Sequence, residues 1–277
     1  MIPLLIAGNE KVADGLLIDL ISYAQCAKEP AEVFFLTMDY RELDPSFAPL
    51  AERQGEYLDS YLKEKVPGSA FHLIDAKKAF EERFDVKDFA KSIYTPYTLL
   101  RLAADRVEGL PDALLYVDTD IMFLQDVKEA YAKALSELGD NEYLAVKDRV
   151  ISHFHKGYIN AGVMLLNLKA IRESGLFDAC CDYLEKKRPT LMDQTALNAC
   201  AKKKGFLDPA WNVQKEQKGT PLIRHFAICL KMLPFPHNQK VKPWQVERVR
   251  SKLHNPAYEP ILTEYLSRKE EFEALGQ

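Results

Sequence analysis

Two carboxylates one residue apart, Asp118 and Asp120, follow a short apolar run from Leu114 to Val117. Like charges this close repel each other unless a cation lies between them, and hard divalent ions prefer oxygen ligands. The pair could therefore hold a divalent metal ion. Asp-Thr-Asp is also a common ending of a strand or cap of a helix, so other segments must decide between a metal site and a structural role.

The segment before the carboxylates has the pattern of a buried strand. Residues 114–117 are apolar and are bounded upstream by Pro111 and Asp112, which predicts a strand that is covered on both faces. Such strands belong to parallel sheets, and open α/β sheets gather their ligands at the carboxyl ends of strands. The two aspartates are thus predicted to lie at a ligand-binding edge.

Further strands alternate with helical patterns along the chain. Apolar runs at residues 2–7, 33–36 and 71–74 are each followed by residues with helical spacing. This alternation predicts an α/β fold with right-handed crossovers and helices on both sides of a mainly parallel sheet. Neither GxGxxG nor GxxxxGK[ST] is present, so we expect a metal and cationic side chains to bind any phosphate.

Composition narrows the class of protein. The 277 residues, 47% hydrophobic and with a net charge of −4, suit one large soluble domain and disfavour nucleic acid as a partner. Five cysteines without paired spacing predict neither a disulfide framework nor a zinc site. The N-terminus lacks a basic leader and a long apolar stretch, so we expect a cytoplasmic protein. A terminal helix at 258–274 is predicted to pack on the domain, with at most peripheral membrane contact.

Four other positions carry candidate functional groups. Arg101 lies on a predicted helix at 94–107, where an exposed arginine is the ordinary interpretation. Asn160 lies inside the apolar run 158–168 and needs a polar partner there. Asp193 begins the helix 191–200, where the helix dipole also favours a carboxylate. His225 follows an apolar pair and could join the two aspartates as a third metal ligand.

Five segments, read in order, resemble glycosyltransferase family 8: LLYVDTDIMF, YINAGVMLLNL, DQTALN, RHF and KPW. The similarity spans about residues 2–244. It implies a GT-A fold with a mixed, mostly parallel central sheet flanked by helices, over residues 1–250, and a helical extension at 251–277. It also implies a UDP-sugar donor and a Mn²⁺ (or Mg²⁺) ion held by Asp118, Asp120 and His225.

The resemblance assigns further roles to residues that match the family's motifs. Asp193 and Gln194 are expected to contact the transferred sugar, with Gln194 beneath the anomeric carbon. Lys242 or Lys231 is expected to bind the phosphate. The residues expected to bind the donor are Ala7, Asn9, Arg101, Asp118, Thr119, Asp120, Asn160 and Ala161.

The N-terminal loop departs from the family pattern, because Val12 stands where a tyrosine usually stacks on uracil. The base is therefore open. The implied activity is retaining transfer of glucose or galactose to a saccharide or glycolipid acceptor, in lipopolysaccharide or surface-glycan synthesis. Two alternatives remain, namely an inactive sugar-nucleotide binding protein and a sugar-phosphate nucleotidyltransferase. The acceptor is expected to contact variable loops such as residues 40–68 and 147–157.

Overall fold

A computed structural model describes residues 1–85, 95–187, 189, 191–215, 219–227, 229–231 and 237–277, with backbone alone at 229–231 and 237–239. The strands are β1 Ile2–Ala7, β2 Ala31–Thr37, β3 Ala70–Asp75, β4 Ala113–Val117, β5 Ile121–Phe123, β6 Tyr143–Lys147, β7 Ile159–Asn167, β8 Lys204–Phe206, β9 Ile223–His225, β10 Cys229–Lys231 and β11 His237–Gln239.

The α-helices alternate with these strands along much of the chain. They are α1 Ala13–Cys26, α2 Glu52–Lys65, α3 Lys77–Glu81, α4 Lys128–Leu138, α5 Leu168–Ser174, α6 Leu176–Lys187, α7 Met192–Cys200, α8 Val246–Leu253 and α9 Glu259–Ala274. Residues predicted as a helix at 94–107 form a 3-10 helix over Pro96–Arg106. Side chains three apart lie in line on such a helix, which aligns Thr98, Arg101 and Ala104.

The central sheet has seven strands in the order β3-β2-β1-β4-β7-β6-β8. All neighbouring pairs are parallel except those that β7 makes with β4 and β6. The predicted mixed and mostly parallel α/β sheet is therefore confirmed, with β7 as the reversed strand. Because β7 runs backwards, its first residues lie at the same edge as the last residues of β4.

Both faces of the sheet are covered by helices. Leu115 and Val117 of β4 pack in one core with α1, α2, α4, α8 and α9. Leu114 and Tyr116 pack in the other core with α3, the 3-10 helix, α5, α6 and α7. Alternate side chains of β4 thus enter opposite cores, as expected for a strand that is buried on both faces.

The C-terminal helix α9 packs in the first of these two cores, and the side chains of four of the cysteines are described. Tyr265 and Phe272 of α9 are fully buried in the core that contains α1. Cys26, Cys180, Cys181 and Cys200 are free thiols. No helix of the described residues is long and apolar enough to cross a membrane.

Candidate active site

The two aspartates and His225 are brought together by a small antiparallel pair of strands beyond the central sheet. β5 starts directly after Asp120 and pairs with β9 so that Ile121 lies opposite His225. The amide of Phe226 also donates to the carbonyl of Asp120. Since Asp118 directly follows β4 and donates its amide to the Gly162 carbonyl at 2.9 Å, all three side chains face one edge of the sheet.

Their ligand atoms form a compact cluster. His225 Nε2 lies 3.2 Å from Asp120 Oδ1 and 3.7 Å from Asp118 Oδ2. One atom from each of the three residues lies within 4.8 Å of the others, and no other such group of His, Cys, Asp or Glu occurs among the residues described. Two carboxylates and one imidazole form a donor set that suits a borderline-hard divalent ion.

The orientation of the His225 ring is fixed from behind by Asn212. His225 Nδ1 lies 3.0 Å from Asn212 Oδ1, which can only accept, so Nδ1 donates this hydrogen bond and Nε2 is the ring nitrogen that faces the carboxylates. Outer hydrogen bonds of this kind hold metal-binding histidines in the correct tautomer. Asn212 was missed by the sequence interpretation, because it lies in an irregular stretch without a motif.

A glycine on β7 leaves the space that this cluster needs. A Cβ atom on Gly162 would lie 2.2 Å from His225 Cε1 and 2.9 Å from Asp118 Oδ2. On α1, a Cβ on Gly15 would lie 2.0 Å from the carbonyl oxygen of Thr119. The close approach of backbone to the cluster on both sides therefore depends on residues without side chains. A divalent ion fits the donor set and the cradle that these glycines leave open.

Arg101 joins the two acidic parts of the site. Its guanidinium donates to Asp118 Oδ1 at 2.7 Å and to the carbonyl of Ala161, and Nε lies 2.9 Å from Asp193 Oδ2. The last contact is an ion pair without hydrogen-bond alignment. The guanidinium also stacks 4.0 Å from the Tyr116 ring centre. The ordinary interpretation of an exposed helix arginine is wrong, because the 3-10 helix turns this side chain inward and leaves it 8% exposed.

Burial raises the pKa of both buried carboxylates around this centre, but their charged neighbours change the outcome. Burial raises the pKa of Asp193 more than Arg101 lowers it, so that pKa lies above its ordinary value. Burial also raises the pKa of Asp120, but the nearby His225 and the Lys242 ammonium outweigh it and hold that pKa well below its ordinary value. Asp120 therefore stays ionised next to a cation that neutralises it.

Gln194 and Asn160 form a second hydrogen-bonded group next to the cluster. Gln194 Oε1 accepts from the Ala161 amide at 3.1 Å and from Asn160 Nδ2 at 3.2 Å. Asn160 Oδ1 in turn accepts from Asn212 Nδ2 at 2.8 Å. Asn198, a further residue missed from sequence, holds α7 to β7 by pairing with both backbone groups of Ile159. The buried asparagine in β7 thus has the partners that it requires.

The remaining predicted residues are placed as follows. Lys242 Nζ forms an ion pair with Asp120 Oδ2, whereas the side chain of Lys231 lies outside the described residues. Asn9 is buried and donates to the Ser46 carbonyl at 3.2 Å. Val12 packs on Gly8 near Phe35, at the carboxyl end of β1 where Ala7 also lies.

A comparison of the sequence with protein-family models gives one assignment. The model described as glycosyl transferase family 8 matches residues 48–247, more than half of the chain. The chain belongs to glycosyltransferase family 8. The predicted class of enzyme, a hexosyltransferase, is thereby confirmed, and the family membership predicted from the five segments is confirmed with it.

Solved structures share the fold at low sequence identity. An active-site mutant of LgtC superposes with a TM-score of 0.67 at 18% identity, covering 96% of this chain and 95% of that one. The galactosyltransferase LgtC in complex with donor and acceptor sugar analogs gives 0.65 at 16% identity, over 95% and 96%. GlyE of Streptococcus pneumoniae gives 0.60 at 19% identity, over 96% and 63%. No curated protein sequence matches this chain. The family 8 GT-A fold is confirmed by these likenesses.

Proposed function

We propose that this family 8 enzyme is a metal-dependent, retaining glycosyltransferase that moves glucose or galactose from a UDP-sugar to a saccharide or glycolipid acceptor. One observation carries the proposal: Asp118, Asp120 and His225 converge within 4.8 Å at the sheet edge where Gln194 and Asn160 also meet. Residues 1–250 would form the catalytic domain and 251–277 a helical extension. The proposed setting is lipopolysaccharide or surface-glycan synthesis in the cytoplasm.

The metal-binding part of the proposal rests on the donor set. Asp118, Asp120 and His225 Nε2 would hold Mn²⁺ (or Mg²⁺), which when bound supplies positive charge to the leaving diphosphate. Lys242 offers a cation next to these residues, since it already pairs with Asp120. We assign Lys242 the phosphate contact, because departing negative charge is stabilised best by cations already in place.

We propose that the remaining donor residues line the approach to this centre. The proposed contacts are Ala7 and Asn9 for the base, Thr119 for the ribose side and Asn160, Ala161 and Asp193 for the sugar. Arg101 would act through Asp118 and Asp193 by fixing both carboxylates. Buried ion pairs of this kind hold one geometry, which is what positioning of a donor requires.

We propose retention of configuration because the family resemblance implies it, and the side chains of this centre bear on how it would be reached. The Gln194 amide is a weak nucleophile, and its oxygen already accepts two hydrogen bonds. Asp193 is buried and paired with Arg101. We therefore propose same-face attack by the acceptor hydroxyl, whose proton passes to the leaving phosphate oxygen while the carbon–oxygen bond to the diphosphate breaks.

The test is titration of UDP into the protein with Mn²⁺, with EDTA, and with Mn²⁺ in the variant Asp120→Asn. We expect the dissociation constant for UDP to rise more than tenfold in the last two experiments, because the metal held by Asp120 would supply the positive charge that attracts the diphosphate. Equal constants in all three would refute metal dependence. NMR of the first product formed from an α-linked donor should show an α-linkage, and slow donor hydrolysis would distinguish an enzyme from an inactive binding protein.

A further inference from the structure

A cationic cavity lies behind Asn212, next to the proposed catalytic centre. It has a volume of about 390 Å³, and its wall includes Lys147, Arg149 and Lys215, together with Phe206. Asn212 forms part of the same wall and hydrogen-bonds both His225 and Asn160. Two hydrogen bonds, from Asn212 to Asn160 and from Asn160 to Gln194, therefore connect the cavity wall with Gln194.

The described residues that line this cavity carry charge of one sign. None of its lining residues is acidic, and none of its three cations pairs with a carboxylate within the described parts of the chain. The neighbouring carboxylates Asp148 and Asp208 accept from backbone amides of their own turns. In a protein of net charge −4, three cations that form no ion pair among the described residues attract anions to this cavity.

Local structure positions two of these cations, Lys147 and Arg149. The pairing of β6 with β7 shifts register between Ala145 and Lys147, and such a bulge turns a side chain to a new direction. Lys147 Nζ then lies 4.4 Å from the centre of the Phe206 ring, a cation–π contact that fixes the ammonium. Arg149 follows in a turn that Asp148 stabilises through the amides of Val150 and Ile151.

We infer that this cavity binds an anionic group, phosphate or carboxylate, of the acceptor saccharide. The inference rests on the proposed function and names the class of acceptor. Its volume lies in the range of small-ligand sites and suits a sugar ring that bears one such group. The guanidinium of Arg149 offers two parallel donors to the anion, and Lys147 and Lys215 add charge.

The experiment uses the full chain saturated with UDP and Mg²⁺. Isothermal titration compares hexose 6-phosphates and hexuronic acids with the matching neutral hexoses. We expect at least one anionic sugar to bind tenfold or more tightly than its neutral partner, and its dissociation constant to rise with salt. A preference for the phosphates alone or the uronic acids alone identifies the anionic group. Equal binding of neutral and anionic sugars would overturn the inference.

Variants locate the anion. The double variant Lys147→Met with Arg149→Met should raise the dissociation constant of the anionic sugar at least tenfold and flatten its salt dependence. The control, Lys133→Met, removes an exposed cation from α4 and should change neither. If the double variant binds the anionic sugar as tightly as the parent, the anion lies elsewhere and the inference is wrong. UDP affinity measured on the same samples distinguishes this failure from a failure of the proposed function.

Discussion

Asp118 and Asp120 are chemically identical, but the folded chain gives them different partners. Asp118 accepts from Arg101 and from the Tyr116 hydroxyl, at 2.7 and 2.8 Å. Asp120 instead faces His225 and Lys242. Asp118 is thus held by residues of β4 and the 3-10 helix, and Asp120 by residues that follow later in the chain. The cluster therefore joins these two parts of the fold.

The sequence identified the three clustered residues, because their types and their places at strand ends both pointed to metal binding. It did not identify Asn212, whose position next to His225 follows from the bridge between Val213 and Arg224. Such a long-range bridge leaves no local pattern. The sequence also could not show that Arg101 faces inward, because an α-helical spacing and a 3-10 spacing place it on different sides.

Arg101→Lys is predicted to destabilise the protein. A lysine keeps the charge but cannot contact Asp118, Asp193 and the Ala161 carbonyl together, which leaves a buried carboxylate without its partner. We expect a loss of about 3 kcal/mol in the free energy of unfolding, measured by urea denaturation. The control Arg41→Lys, at an exposed pair with Asp39, should change it by less than about 0.5 kcal/mol. Equal effects would assign Arg101 no bridging role.

Gln194→Ala is predicted to slow turnover while UDP binds as before. In the structure the Gln194 side chain accepts from Asn160 and Ala161 of β7 and has no hydrogen bond to the three clustered residues, so its loss should weaken interactions formed during transfer. We expect kcat to fall more than tenfold, measured by UDP release, with the UDP dissociation constant within twofold. A parallel rise in that constant would instead place Gln194 in nucleotide binding.

The helices and strands themselves follow closely from residue periodicity, because nearly every apolar face has a layer to pack against. The direction of β7 does not follow from its sequence. Residues 159–167 are apolar almost throughout and would suit a parallel or an antiparallel strand equally. Direction is decided by pairing with β4 and β6 on both sides, which only the assembled sheet contains.

Gly162→Ala, on β7, is predicted to weaken metal binding and to leave the fold intact. The added Cβ would require His225 or Asp118 to move, and both are proposed ligands. We expect the dissociation constant for Mn²⁺, measured by electron paramagnetic resonance, to rise more than tenfold while the circular dichroism spectrum stays unchanged.

A matched glycine controls for the added methyl group. In Gly55→Ala, on α2, the new Cβ would meet Leu73 at an ordinary 3.4 Å. This variant should bind Mn²⁺ normally and gain up to about 1 kcal/mol in unfolding free energy from helix propensity. Unaltered metal binding in both variants would show that β7 does not limit the space for the cluster.

At the scale of the whole molecule, the site and the core share one buried carboxylate. Asp19 of α1 is fully buried; Oδ1 accepts from the Ile121 amide at 3.3 Å, and Oδ2 has no hydrogen-bond partner among the described residues. Burial, together with repulsion from Asp120, raises the pKa of Asp19 well above its ordinary value. Ionisation of this group therefore opposes folding.

Asp19→Asn is predicted to raise stability in a pH-dependent way. Because the folded pKa is raised, the parent is most stable below the unfolded pKa of about 3.9 and loses stability as pH rises towards the folded value. The amide that replaces the carboxyl group does not titrate, so the advantage of the variant should grow with pH and reach about 1–3 kcal/mol, measured by urea denaturation in EDTA. The exposed control Asp182→Asn should show no such trend. An advantage that stays constant or shrinks as pH rises would contradict the prediction.

The reversal of β7 also bears on how this enzyme can diverge. The segment 148–158 leaves the sheet after Lys147 and returns at Ile159, and these two residues pair across the strands. Its two ends are therefore fixed to each other, independently of what lies between them. Residues can be exchanged or inserted within this loop without moving Asn160 or Gly162. Under the proposed function, variation in this loop, which includes Arg149, would change the acceptor while the proposed donor residues are inherited unaltered.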